Sequence, residues 1–169
     1  MRVGKRKSQR KLDKIDLNIL RILQRQGRIS YVELADQVGL STTPCMERVK
    51  RLEQEGIIEG YCAKIAPQAL GLNLLVFVEI SLSYQTSDAF DEFRKAIEQL
   101  PYVLECHLVS GHSDYLIKAR ITEMSEYRKL LGDMLLTLPG IKESKSYVVM
   151  EEVKESTELP VEAAKDIAE

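Results

Sequence analysis

Apolar residues in the first third of the chain recur at three- and four-residue steps. Leu12, Ile15, Ile19, Ile22 and Leu23 make one stripe, which predicts an amphipathic helix closed by Gly27. Leu34, Ala35 and Val38 make a second, shorter stripe. Ser30 and Glu33 precede it at capping-box spacing, and Gly39 ends it. Leu40 plugs the corner, Ser41 caps a third helix, and Pro44 falls within its first turn, where a missing N–H costs nothing. Cys45, Val49 and Leu52 are the inward positions of that helix, which Gly56 ends. Ile57 to Ile65 reads as a short strand, and Pro67 to Gly71 as a hinge-like connection.

After residue 73 the period changes. Leu74 to Leu82 is a strongly apolar strand. Asp88 is placed to cap a helix with a stripe of Phe90, Phe93, Ile97 and Leu100, and Pro101 breaks it. Strands follow at Tyr102–Val109 and Tyr115–Ile121, joined by a turn at Ser110–Asp114. A helix with Tyr127, Leu131, Met134 and Leu138 on one face ends at Pro139, and Ile141–Met150 is a last strand. Two strand–helix–strand units in succession predict an α+β fold, a ferredoxin-like βαββαβ domain with both helices on one sheet face. The strands read as apolar on both sides, so the open face is expected to pair with a second copy of the chain. The expected organisation is a mobile basic arm, 1–11; a winged-helix-like helix-turn-helix domain, 12–66; a hinge, 67–73; a ferredoxin-like oligomerisation domain, 74–154; and an acidic tail, 155–169. The tail is expected to fray, with 151–155 extending the last strand.

Charge sharpens this division. The net charge of the 169 residues is only -2, but residues 1–60 hold 13 Lys and Arg against 8 Asp and Glu, and the remainder holds 11 against 18. A basic front and an acidic back place any polyanion on the front half. The third predicted helix presents Thr42, Thr43, Pro44, Glu47, Arg48, Lys50 and Arg51 away from its apolar stripe. Short hydroxyls approach phosphates and base edges closely, and arginine pairs bidentately with guanine or grips a phosphate, so this face suits the major groove of double-stranded DNA. A solvated helical hairpin has the same outline. The arm MRVGKRKSQRK, with six basic residues and no acid, is either a solubilising tail or a phosphate-contacting arm.

Other chemistry is sparse. Three widely spaced cysteines, Cys45, Cys62 and Cys106, form no CxxC pair and suit reduced thiols in the cytoplasm. Cys106, His107, His112 and Asp114 are metal-ligand types without a zinc spacing, and no metal site is expected. No nucleophile–base–orienter set and no glycine-rich phosphate loop is evident. No apolar run approaches the ~20 residues of a membrane span, and the N-terminus lacks a signal-peptide core.

The stretches LDKIDLNILRILQRQGRIS, ELADQVGLSTTPCMERVKRLEQEGII, LLVFVEISL, ECHLVSGHSDYL, MSEYRKLLGDMLLTLPGI and SYVVMEEVK, in this order over residues 12–154, resemble the leucine-responsive (Lrp/AsnC) family of bacterial transcription regulators. The resemblance implies a cytoplasmic, nucleoid-associated regulator of amino-acid metabolism genes, acting as activator or repressor. It implies dimers that assemble further, commonly to octamers, no cofactor, and an amino-acid effector, leucine first, held at interfaces between the C-terminal domains. The family's Gly-x-x-Asp effector loop falls on Gly111-His112-Ser113-Asp114, with Ser110 beside it. Asp114 would pair with the ligand ammonium, backbone N–H groups around the glycine would take its carboxylate, and Leu108, Val109, Met124, Leu136, Tyr147, Val148 and Val149 would accept its side chain. The same turn is also an ordinary hairpin turn. Two other classes remain open: a nucleoid-organising protein with little ligand response, and a metabolite-binding module or enzyme whose front helices only mediate contacts.

Overall fold

The computed structural model describes residues 11–161, except for the side chains of residues 130 and 133–136. The basic arm therefore lies outside the described residues but for Lys11, and so does the end of the tail. The described residues fall into two compact units: those of Met1–Lys64 with Lys154–Glu169, and Ile65–Val153.

The helical unit is built from α1 (Lys14–Arg25), α2 (Tyr31–Val38) and α3 (Thr42–Gln54). Each has a local reason to start. Asp13 caps α1 by accepting from the N–H groups of Ile15 and Asp16, while Asp16 accepts from Asp13 N–H, an acidic version of the capping box. Ser30 and Glu33 make the expected reciprocal box on α2. Gly39 ends α2 at φ 72°, a left-handed conformation that costs glycine nothing. Ser41 occupies the cap position of α3 but its side chain makes no capping bond. Ile19, Leu34, Ala35, Val38, Cys45, Val49 and Leu52 form the core, with Leu40 packed at its edge. The expected strand at 57–65 does not form. The N–H groups of Ile57 and Ile58 turn back to the Leu52 carbonyl, and three helices offer no sheet edge to pair with.

The C-terminal segment belongs to this unit. The side-chain amide of Gln24 accepts from Leu159 N–H at 2.6 Å and donates to its carbonyl at 3.2 Å, and Arg25 pairs with Glu158 at 2.8 Å. Leu159, Pro160 and Val161 line a cleft of about 710 Å³ against Leu20, Leu23 and Ile57.

The second unit is a four-stranded antiparallel sheet in the order β2-β3-β1-β4: β1 (Leu74–Leu82), β2 (Val103–Leu108), β3 (Tyr115–Ile121) and β4 (Ile141–Val148). It carries α4 (Ser87–Ile97) after β1 and α5 (Met124–Thr137) after β3. This is the βαββαβ order of the ferredoxin-like fold. Alternate residues of β1 and β3 (Val76, Val78, Ile80, Leu82; Tyr115, Ile117, Ala119, Ile121) pack with Phe93, Ile97 and Leu138. Phe93 stacks on Tyr115 with ring centroids 4.2 Å apart. Thr86, not Asp88, caps α4, because its hydroxyl reaches the Ala89 N–H from the position just outside the first turn. Tyr127 packs against the core as expected, whereas the Met134 side chain lies outside the described residues.

The opposite sheet face corrects a second expectation. The pairing register puts Leu75, Phe77, Leu116 and Tyr147 on that face, but also Glu79, Glu105, His107, Lys118, Arg120 and Lys145. It is a mixed face, not an apolar one. Lys118 and Glu105 pair across it at 2.9 Å, and Arg120, only 5% exposed, holds Glu152 at 2.6 Å. β4 ends at Val148 and 151–155 does not extend it, although Val149 N–H still reaches the Leu75 carbonyl.

Candidate nucleic-acid interface and effector loop

The first turn of α3 presents Thr42 and Thr43 to solvent, and Glu47 and Lys50 continue the exposed strip one and two turns on, with Pro44 half-buried beside it. The two arginines of the helix are placed otherwise. Arg48 Nη1 donates to Asp13 Oδ2 at 2.6 Å and to Asp16 Oδ1 at 2.8 Å, and Arg51 Nη2 donates to Asp16 Oδ2 at 2.7 Å. Both side chains are about a quarter exposed, and Asp16 is 2% exposed. The Asp13 and Asp16 carboxylates raise the Arg48 pKa. Burial works to raise the Asp13 carboxyl, but the Asp16 N–H and the Arg48 guanidinium hold it below its ordinary value. Sequence reasoning missed this bridge, though a signal was present. Asp16 lies three residues before Ile19, on the buried stripe of α1, and a buried carboxylate needs a cation.

At the other candidate site, Gly111 lies in the turn between β2 and β3 with φ 149°. A side chain there would meet nothing in the chain, so its obstacle is the backbone conformation. Asp114 is anchored at three points. Its N–H donates to the Ile80 carbonyl and its carbonyl accepts from Val109 N–H, both at 2.9 Å. Its carboxylate accepts from Leu82 N–H at 2.7 Å and from the Gln85 amide at 2.8 Å. A carboxylate offers about four lone-pair sites, so capacity for an ammonium remains.

The fold does not bring all the expected effector residues together. Leu108, Val109, Ser110, Gly111 and Asp114 cluster where β1 ends. Tyr147, Val148 and Val149 pair with Phe77, Val76 and Leu75, where β1 begins, and Met124 starts α5 beside the end of β3 that pairs with Leu74. β2 and β4 are the two outer strands, about 14 Å apart at three spacings of about 4.8 Å. The Leu136 side chain lies outside the described residues. Leu108, Met124, Tyr147 and Val148 are all exposed. Beside the turn is a cleft of about 60 Å³ lined by Glu79, Ser81, His112, Ser113, Glu143 and Lys145. That is room for about two waters, not an amino acid. Cys106 packs beneath the helices, where burial pushes its thiol up to about 11, while His107 pairs with Glu105 on the other face.

Comparison with known proteins matches both units. Residues 12–59 fit the model of a winged helix-turn-helix DNA-binding domain, and residues 75–159 that of the Lrp/AsnC ligand binding domain. The chain belongs to the Lrp/AsnC family. The leucine-responsive regulatory proteins of Serratia marcescens and Escherichia coli K12 are each 54% identical to it over 158 residues, covering 94% of this chain and 96% of theirs. A Neisseria meningitidis transcriptional regulator solved as a complex with L-Met superposes with a TM-score of 0.85 at 37% identity, covering 90% of this chain and 98% of its own. An AsnC family regulator of Agrobacterium tumefaciens gives 0.87 at 32% identity over 90% and 99%. As an Lrp/AsnC member the chain is a DNA-binding transcriptional regulator with a ligand-binding domain, and not an enzyme.

Proposed function

We propose that the chain is an amino-acid-responsive regulator, with leucine as its principal effector, that reads double-stranded DNA through α3 as a dimer assembled to higher oligomers. The observation that carries the reading is the division of the effector residues. One chain offers a polar half-site, Gly111 and Asp114, and at the other end of the sheet an apolar half-site, the exposed Met124, Tyr147 and Val148 with half-buried Val149. A ligand needing an ammonium partner and an apolar pocket is served by halves from two chains. Leucine follows from the names of the relatives, and the L-Met held by the Neisseria regulator shows the ligand class in a neighbour.

On the DNA side, the exposed hydroxyls of Thr42 and Thr43 with Glu47 and Lys50 are the groups placed to meet base edges and phosphates. Two-fold symmetry would set paired α3 helices on successive major grooves about 34 Å apart, favouring palindromic sites. Among the described residues no helix is long and apolar enough to cross a membrane, and action on chromosomal DNA in the cytoplasm suits this reading. The test is a mobility shift on promoter fragments against random DNA, with and without amino acids. A leucine-dependent change on promoters supports the proposal. Equal binding to all DNA without ligand response would replace it with a nucleoid-organising role, and loss of all DNA binding would leave a metabolite-binding module.

A further inference from the structure

The α3 arginines, the strongest basic groups on the expected DNA face, are already occupied. Asp16 is buried at the junction of α1 and α3 and accepts from both guanidinium groups and from the Asp13 N–H. Asp13 adds a second carboxylate on Arg48. The Nε of Arg51 is itself buried with no hydrogen-bond partner among the described residues, so that edge of the group is withdrawn from solvent. Two carboxylates and two guanidiniums sum to zero charge. Lys50 is then the exposed cation of α3, with Glu47 opposing it.

We infer that Asp16, with Asp13, is a positioning residue of the DNA-reading surface: it holds Arg48 and Arg51 as a neutral bridge from α3 to α1. Phosphate contact passes to Lys50 and the hydroxyls of Thr42 and Thr43, while the two arginines fix the direction in which α3 projects. This rests on α3 being the reading helix. The alternative, arginines that swing out to phosphates, requires breaking three short charge-assisted bonds, one carboxylate of which would be left buried and unpaired.

Counterion release separates the two. Each cation that neutralises a phosphate of duplex DNA adds about 0.9 to the slope of log affinity against log salt. The measurement is binding of the full-length chain to a labelled random-sequence duplex over a salt series. Lys50→Ala should flatten the slope by about 0.9. Arg48→Gln and Arg51→Gln should lower the thermal midpoint and leave the slope unchanged. Asp16→Asn should steepen it, because Arg51 loses the carboxylate that holds it and gains access to phosphate, while Asp13 still holds Arg48; a purely structural carboxylate would not do this. Should Asp16→Asn fail to fold, the two glutamine variants decide, since each removes one cation and spares the capping box. A slope flattened by about 0.9 in either overturns the bridge. A wild-type chain that does not bind the duplex overturns instead the reading of α3 on which the bridge rests.

Discussion

Asp114 has an architectural role and, in the function proposed above, a second one in holding the ligand, and Asp114→Asn separates them. The first is architectural. Its carboxylate accepts the Leu82 N–H at 2.7 Å in a half-buried setting, and Gln85 at 2.8 Å at the surface. A hydrogen bond to a charged acceptor contributes about 1.5–3 kcal/mol, and the exposed Gln85 bond less, because water competes for it. Asp114→Ala leaves the Leu82 N–H unpaired and should cost roughly 2–3 kcal/mol. With a urea slope of about 1–3 kcal/mol per molar, the midpoint should fall by about 0.7–3 M. Asp114→Asn keeps an oxygen for Leu82 and should cost about 1 kcal/mol. The second, proposed role is pairing with the ligand ammonium, for which asparagine supplies no charge. A loss of about 1.5–3 kcal/mol corresponds to roughly 10- to 100-fold weaker leucine binding. The chain has no tryptophan, so unfolding is followed by circular dichroism, and leucine binding by calorimetry. Asp114→Asn binding leucine with wild-type affinity would refute the ammonium role, and Asp114→Ala as stable as the wild type would refute the architectural one.

Leu52→Ala, at a fully buried position between the three helices, should cost about 2–5 kcal/mol and abolish DNA binding, checked by helicity and mobility shift. Native-state alkylation should modify exposed Cys62 and spare Cys45 and Cys106, the last with its thiol pushed up to about 11, until the chain is unfolded. The Glu105 carboxyl is held below its ordinary value of 4.5 by Lys118 first and His107 second. The folded state therefore binds fewer protons than the unfolded one, so the contribution is complete above pH 4.5 and is lost as pH falls through the folded value. Thermal midpoints of Glu105→Gln and wild type should converge on acidification. A fragment from Asn73 onward should still be at least dimeric by light scattering and should not bind DNA.

The fold was largely legible because its signals are local. Ser30, Glu33 and Gly39 bound a helix by capping chemistry alone, and the period switch at Leu74 marks the change from helix to sheet. What was not legible depended on partners distant in sequence. Asp13 and Asp16 look like helix-start residues until the fold brings Arg48 and Arg51 against them. The apolar run at Ile57 and Ile58 has strand composition but no neighbouring edge. The open sheet face is mixed because every strand carries charge on it, Glu79 on β1, Glu105 and His107 on β2, Lys118 and Arg120 on β3 and Lys145 on β4, and which face each takes follows from the pairing register. At the effector site the Gly-x-x-Asp turn was readable, whereas the distance between Asp114 and Tyr147 follows only from the strand order.

The most direct test of the central claim is a titration of the full-length chain against a labelled promoter-length duplex, without and with leucine, in the wild type and in Asp114→Asn. Wild-type binding should be salt-dependent and should change on adding leucine, while Asp114→Asn should bind the DNA and ignore the amino acid. Superimposable isotherms for the wild type with and without leucine, methionine, alanine and asparagine would contradict an amino-acid-responsive regulator.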